Sequence, residues 1–153
     1  MLCDSDIEVS WRTRPRGFTA LMGLYESNYL RLRQLVGDPA QLQGTQRSQV
    51  AGDCELQLEV IEHMSYTSVL NLTYLLPGGT VAGHDLFERQ PDLRLRVYHD
   101  ARLLEAEELR NDQPPGTRAA SARGRELQQR WVRNMMLNKW LEYCAERGHR
   151  FRR

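Results

Sequence analysis

The residues best suited to chemistry form one short run, Tyr98-His99-Asp100. An imidazole beside a carboxylate is a minimal general base with an orienting group. Its natural reaction is hydrolysis, and its substrate here would be a phosphate-containing metabolite. The candidate catalytic residues are therefore His99 and Asp100, with Glu26 as an orienting carboxylate brought from elsewhere in the chain. Neighbouring residues of a strand point to opposite faces, so His99 and Asp100 meet only through a turn. The same run also reads as a tight turn or a bulge in which Asp100 bonds backbone amides.

Two binding sets stand beside it. Asn28 interrupts the apolar stripe of a first helix, and Asn134 and Asn138 interrupt that of the last one, a turn apart. If the helices are neighbours, these amides line a shared polar groove, with Tyr98 a further candidate contact. Arg123, Arg125, Arg130 and Arg133 form a basic surface for a protein partner or an anionic small molecule. Residues 1–109 carry ten arginines against sixteen acids, and residues 110–153 ten arginines and a lysine against four acids. The basic end favours anions. No nucleic-acid motif accompanies it, so nucleic acid is disfavoured as a partner.

Other chemistries lack their spacing. The four histidines and three cysteines show no C-x-x-C, H-x-x-x-H or H-E-x-x-H pattern, so no metal and no cofactor is expected. Pro77 to Gly83 is glycine-rich but has neither phosphate-loop pattern. Cys54 and Cys144 read as small core residues.

The elements that position these groups follow from periodicity. Phe18, Leu21, Met22, Tyr25, Tyr29, Leu32 and Val36 repeat at helical spacing, stopped by Gly37-Asp-Pro39. Residues 38–46 read as a loop. Leu56, Leu58 and Val60 alternate with polar residues, and a second strand runs over 66–76, paired with the first as a hairpin. Residues 77–91 read as a long connection. Leu93, Leu95 and Val97 then alternate, and a two-residue turn at His99-Asp100 would set Leu95 opposite Leu104 and Arg94 opposite Glu105. Residues 111–124 are rich in breakers. A second long helix spans Glu126 to Arg147, with Trp131 and Trp140 projecting about 180° apart. One tryptophan then faces the sheet, and the other needs the first helix, the N-terminal arm or a partner chain.

The expected fold is α+β: an antiparallel sheet of about four strands flanked by an N-terminal and a C-terminal helix. Residues 1–16 would be an irregular arm, 17–148 a single domain and 149–153 a basic tail. At 153 residues the chain can bury one core without disulfides. No apolar run is long enough to span a bilayer and the acidic start has no signal-peptide core, so the expected location is the cytoplasm.

Leu24-Tyr-Glu-Ser-Asn-Tyr-Leu30, the segment Leu93 to Ala106 with its Val-Tyr-His-Asp-Ala-Arg core, and Trp140-Leu-Glu-Tyr-Cys144 resemble the YqiB-like family of bacterial proteins, a domain of unknown function. The resemblance runs from about Phe18 to Gly148. It implies a single cytoplasmic domain and carries no reaction or cofactor with it. Pro114-Pro-Gly and Gln128-Gln-Arg130 depart from the family pattern. The expectation is a non-enzymatic binding or adaptor domain, with homodimerisation compatible. The alternatives are a small hydrolase built on His99 and a nucleotide or nucleic-acid binder using the basic C-terminal third.

Overall fold

A computed structural model describes residues 17–107 and 122–151, the side chains of 122–124 excepted. Helix α1 (Phe18–Val36) is followed by a 3-10 turn at Pro39–Gln41. Five strands come next: β1 (Thr45–Ser48), β2 (Glu55–His63), β3 (Thr67–Val81), β4 (His84–Tyr98) and β5 (Leu103–Ala106). Helix α2 (Ala122–Arg147) closes the domain. The strands form one antiparallel meander in sequence order. The expected α+β architecture is the one observed, with five strands instead of four.

Period-two alternation builds the inner face of the sheet. Leu58 lies opposite Leu72, Leu70 opposite Leu95, and Val97 opposite Leu104. These leucines and Val97 meet Leu32 and Leu35 of α1 and Leu137 and Leu141 of α2 in one buried cluster. Both helices thus cover the same face. Trp140 packs edge-on against Tyr74 of the sheet, ring centroids 5.3 Å apart. Trp131 packs instead against Ala20 and Leu24 of α1. The opposed tryptophans divide their partners as the helical geometry requires.

Several boundaries differ from expectation. Phe18 begins α1 but is 75% exposed, because it precedes the first residue that α2 covers. β1 occupies the end of the supposed loop, pairing Thr45–Ser48 with Glu59–Leu56. The supposed connection 77–91 is instead a two-stranded ribbon that continues β3 and β4. Its turn is Ala82-Gly83, both residues at positive φ (53° and 79°), the backbone of a two-residue hairpin turn of the twist-matching kind. The β4–β5 turn has four residues, 99–102, with Arg102 at φ 55°. Leu95 therefore faces Ala106 and Arg96 faces Glu105. This is a slip of two residues from the expected pairing, which leaves each side chain on its own face. Helix α2 begins at Ala122, ahead of Glu126. The N-terminal arm and most of the breaker-rich loop lie outside the described residues.

Three asparagines join the two helices to the edge of the sheet. Asn138 Nδ2 donates to Asn28 Oδ1 (2.9 Å) and to Ser27 Oγ (3.0 Å). Asn134 Oδ1 accepts from the Ala106 amide (2.8 Å) and from Asn28 Nδ2 (3.4 Å), while its own Nδ2 donates to the Arg130 carbonyl (2.8 Å). All three side chains are buried. Removing one member strands buried donors on its neighbours, at about 1–3 kcal/mol each. Asn134→Ala is expected to lower the unfolding free energy by roughly 2–4 kcal/mol. Urea denaturation checks this, and a loss below about 0.5 kcal/mol would show that the network is dispensable.

Candidate binding site at the helix and sheet edge

Where β5 meets the helices, a row of charged and phenolic side chains follows from strand alternation. Leu104 and Ala106 point inward, so Glu105 and Glu107 point the other way. The Tyr98 hydroxyl donates to Glu105 Oε1 (2.6 Å). The Arg96 guanidinium donates to the Glu107 carboxylate. Tyr25 reaches this edge from α1. Its hydroxyl is buried beside Glu105 and Arg130, the charged groups that act on it. Burial first, then the Glu105 carboxylate, push the Tyr25 hydroxyl well above the ordinary phenol range. Burial and the bond to Glu105 push that of Tyr98 up to about 12.

Of the basic surface, Arg125 is exposed. Arg130 makes an exposed pair with Glu126 one turn away (3.3 Å), a contact of small energetic weight. Arg133 lies one turn from Arg130, and its Nε is buried without a hydrogen-bond partner. Arg123 lies in α2, but its side chain is outside the described residues. The fold thus gathers Tyr98 and Arg130 around Glu105 and Tyr25, with Asn134 directly behind. The asparagines meet, but they bond one another and the backbone. Glu105 and Tyr25 were not singled out from sequence. In the sequence Glu105 reads only as a cross-strand partner of Arg94, and Tyr25 only as one more member of an apolar stripe.

His99 follows the end of β4. Its Nε2 lies 2.8 Å from Ser68 Oγ, and His63 Nδ1 lies 2.8 Å from the same oxygen. Its Nδ1 is buried and unpartnered. The side-chain partner of His99 is therefore Ser68, and Ser68 is 1% exposed. Glu26 stands exposed on α1, and Asp100 is exposed in the turn. Burial, then the neighbouring His63, hold the His99 pKa below the usual histidine value, against the opposite pull of Asp38 and Asp100.

A second imidazole cluster closes the other end of α2. Gly148, at φ 95°, carries the chain into a reversed turn: its amide donates to the Ala145 carbonyl and that of His149 to the Cys144 carbonyl. His149 is thereby buried rather than part of a solvated tail. Its Nε2 lies 2.8 Å from Asp53 Oδ2 and its Nδ1 2.9 Å from Ser48 Oγ. Hydrogen-bond valence assigns the protons. An ionised carboxylate only accepts, so Nε2 carries a hydrogen directed at Asp53. Ser48 Oγ in turn accepts from the Arg150 amide (3.1 Å). Tyr74 also donates to Asp53 (3.1 Å). Burial opposes ionisation of Asp53, but the bonds from His149, the Cys54 amide and Tyr74 outweigh it and hold its pKa below the usual carboxylate value.

Among the described residues, no three His, Cys, Asp or Glu side chains form a metal-ligand set. No helix there is long and apolar enough to cross a membrane.

These features define an α+β domain in which two helices cover one face of an antiparallel meander. The chain belongs to the family described as protein of unknown function (DUF1249), whose model matches residues 31–150. No curated protein and no solved structure gives a match.

Two pH dependences follow from these shifts. The folded pKa of Asp53 is depressed, so its contribution is present above the unfolded value and is lost as pH falls through the folded one. Asp53→Asn should cost roughly 2–3 kcal/mol at neutral pH. In urea titrations the gap to wild type should close below about pH 4. A gap that persists unchanged at pH 2 would contradict the assignment.

The folded pKa of His99 is also depressed, but here the neutral form is favoured. Its contribution is full above about pH 6.5 and declines as pH falls through the folded value. His99→Gln should flatten the stability profile between about pH 7 and pH 5. An imidazole proton resonance of His99 titrating above that range would refute the shift.

Proposed function

We propose that this chain is a non-enzymatic binding domain that takes an anionic group at the α2 and β5 edge. The observation that carries this reading is the pair Arg130 and Arg133, one helical turn apart, with the Arg133 Nε donor unspent. Guanidinium groups so placed suit the planar, paired oxygens of a carboxylate or phosphate. Exposed Arg125 extends the same basic run. The Tyr25 hydroxyl lies beside Arg130 and Glu105 at the same edge. Glu105 already accepts from Tyr98, which leaves that carboxylate partly engaged.

The hydrolase alternative has less support. His99 has a hydroxyl partner, but that hydroxyl belongs to a buried serine, and Glu26 lies apart on the exposed side of α1. The finer identity, a YqiB-like bacterial protein of the cytoplasm, belongs to the same proposal and rests on the sequence resemblance.

The test is a thermal-shift panel of inorganic phosphate, pyrophosphate, nucleotides, sugar phosphates, citrate and short RNA. A ligand at about a hundred times its Kd adds roughly 2.7 kcal/mol, which raises Tm measurably. One of the small anions should stabilise the wild type, and the double variant Arg130→Glu, Arg133→Glu should lose that shift. A shift of equal size in the variant, or a shift with RNA alone, would overturn the small-anion reading.

A further inference from the structure

Beyond Leu75 and Arg89, strands β3 and β4 leave the sheet as a bare ribbon. Every residue from Pro77 to Gln90 is exposed. β5 pairs only with Leu95–Tyr98 of β4. The outer edge of β4 from His84 to Gln90 therefore has no strand beside it among the described residues. An isolated two-stranded ribbon is marginal in water, and an unpaired edge is a template for another strand. This ribbon also exposes Val81, Leu86 and Phe87, the last to 59%.

We propose that this edge pairs with the same edge of a second copy of the chain, antiparallel, about a two-fold axis through Phe87. The case rests on the charge pattern. The register sets Phe87 opposite Pro77 and Arg89 opposite Leu75, and Asp85 opposite Thr80 beyond a bulge. With period two along β4, Asp85, Phe87 and Arg89 share one face. An axis through Phe87 places that ring on its own symmetry copy. It also sets Asp85 against the partner's Arg89, and Arg89 against the partner's Asp85. Aromatic pairs and opposite charges are the favourable cross-strand contacts, and like charges the unfavourable ones. On the reverse face, Leu86 lies against the partner's Glu88 and His84 against the partner's Gln90.

Other registers are worse. An axis at Asp85, Glu88 or Arg89 sets each charge directly on its copy. An axis at Leu86 places Asp85 against the partner's Phe87 and loses both ion pairs.

The edge is also bounded, which favours a closed dimer over a filament. Pro91 offers no amide hydrogen at one end, and the Ala82-Gly83 turn ends the strand at the other. The free stretch of β3 is blunted by Pro77, Gly78 and Gly79, where the pairing is irregular. The product is a four-stranded arm, β3-β4-β4-β3, running between two bodies.

Analytical ultracentrifugation of the intact protein tests this. The wild type should sediment as a dimer at about 100 µM. Asp85→Arg alone, or Arg89→Asp alone, places like charges opposite each other and should shift the population to monomer. The double variant Asp85→Arg, Arg89→Asp re-forms both pairs in reverse and should restore the dimer. Phe87→Asp should abolish it. All these positions are exposed, so circular dichroism and Tm should confirm that the body still folds. A wild type that is monomeric at this concentration would overturn the proposal. So would a dimer indifferent to the single charge reversals, or a double variant that does not recover.

Discussion

The carboxamide of Asn134 is the constraint on which the rest of the structure depends. It sits where α1, α2 and β5 meet and holds all three through its oxygen and its nitrogen. Apolar stripes alone let two helices rotate and slide over a sheet at small cost, because hydrophobic contact is not directional. A buried amide that must find every partner removes that freedom. Once Asn134 is bonded to the Ala106 amide, the azimuth of α2 is set. Leu137 and Leu141 then face the sheet, Trp140 reaches Tyr74, and Trp131 faces α1. The same bond ties the free edge of β5 to α2.

Helix α2 is held at two points. Asn134 anchors it in its first half, and the turn at Gly148 anchors its end by burying His149 between Ser48 and Asp53. From Asn134 the helix runs thirteen residues to its end at Arg147, about 20 Å. The chain beyond the second anchor is held as well, since the Phe151 amide donates to the Leu35 carbonyl at the end of α1. The arginines at 125, 130 and 133 lie on the side of the first anchor away from the second. They project from a helix whose rotation is fixed, so their relation to Tyr25 and Glu105 is fixed with it.

Much of this is legible in the chain itself, and the failures have physical reasons. Alternation through Leu56 and Leu58, along 66–76 and through Leu93 to Ala106, and the helical spacings of 18–36 and 126–147, place both helices and four of the five strands. Asn134 and Asn138 stand out because a polar pair one turn apart breaks an apolar helix face. The ribbon does not stand out. Pro77-Gly78-Gly79 carries the composition of a loop, and Ala82-Gly83 lacks the asparagine that usually marks this turn. β1 is short, and its sequence, Thr-Gln-Arg-Ser, has no apolar side chain to alternate. His149 reads as part of a basic tail because its partners, Ser48 and Asp53, lie about a hundred residues away. No local pattern announces a contact of that kind.

Asp53, His149 and Ser48 also show where geometry stops short of function. Carboxylate, imidazole and hydroxyl lie in the order, and near the distances, of a nucleophilic triad. What separates them from one is access and valence. The Ser48 hydroxyl accepts the Arg150 amide and is buried beneath the turn that delivers the histidine. A nucleophile needs an approach for its target and donors to receive the developing oxyanion. Here the neighbouring Arg150 amide is spent on the nucleophile itself. The same three groups that would cleave a bond at an open cleft instead tie the end of α2 to β1 and the β1–β2 turn. The side chains with unspent capacity lie at the opposite, basic end of that helix, and it is there that recognition has room to occur.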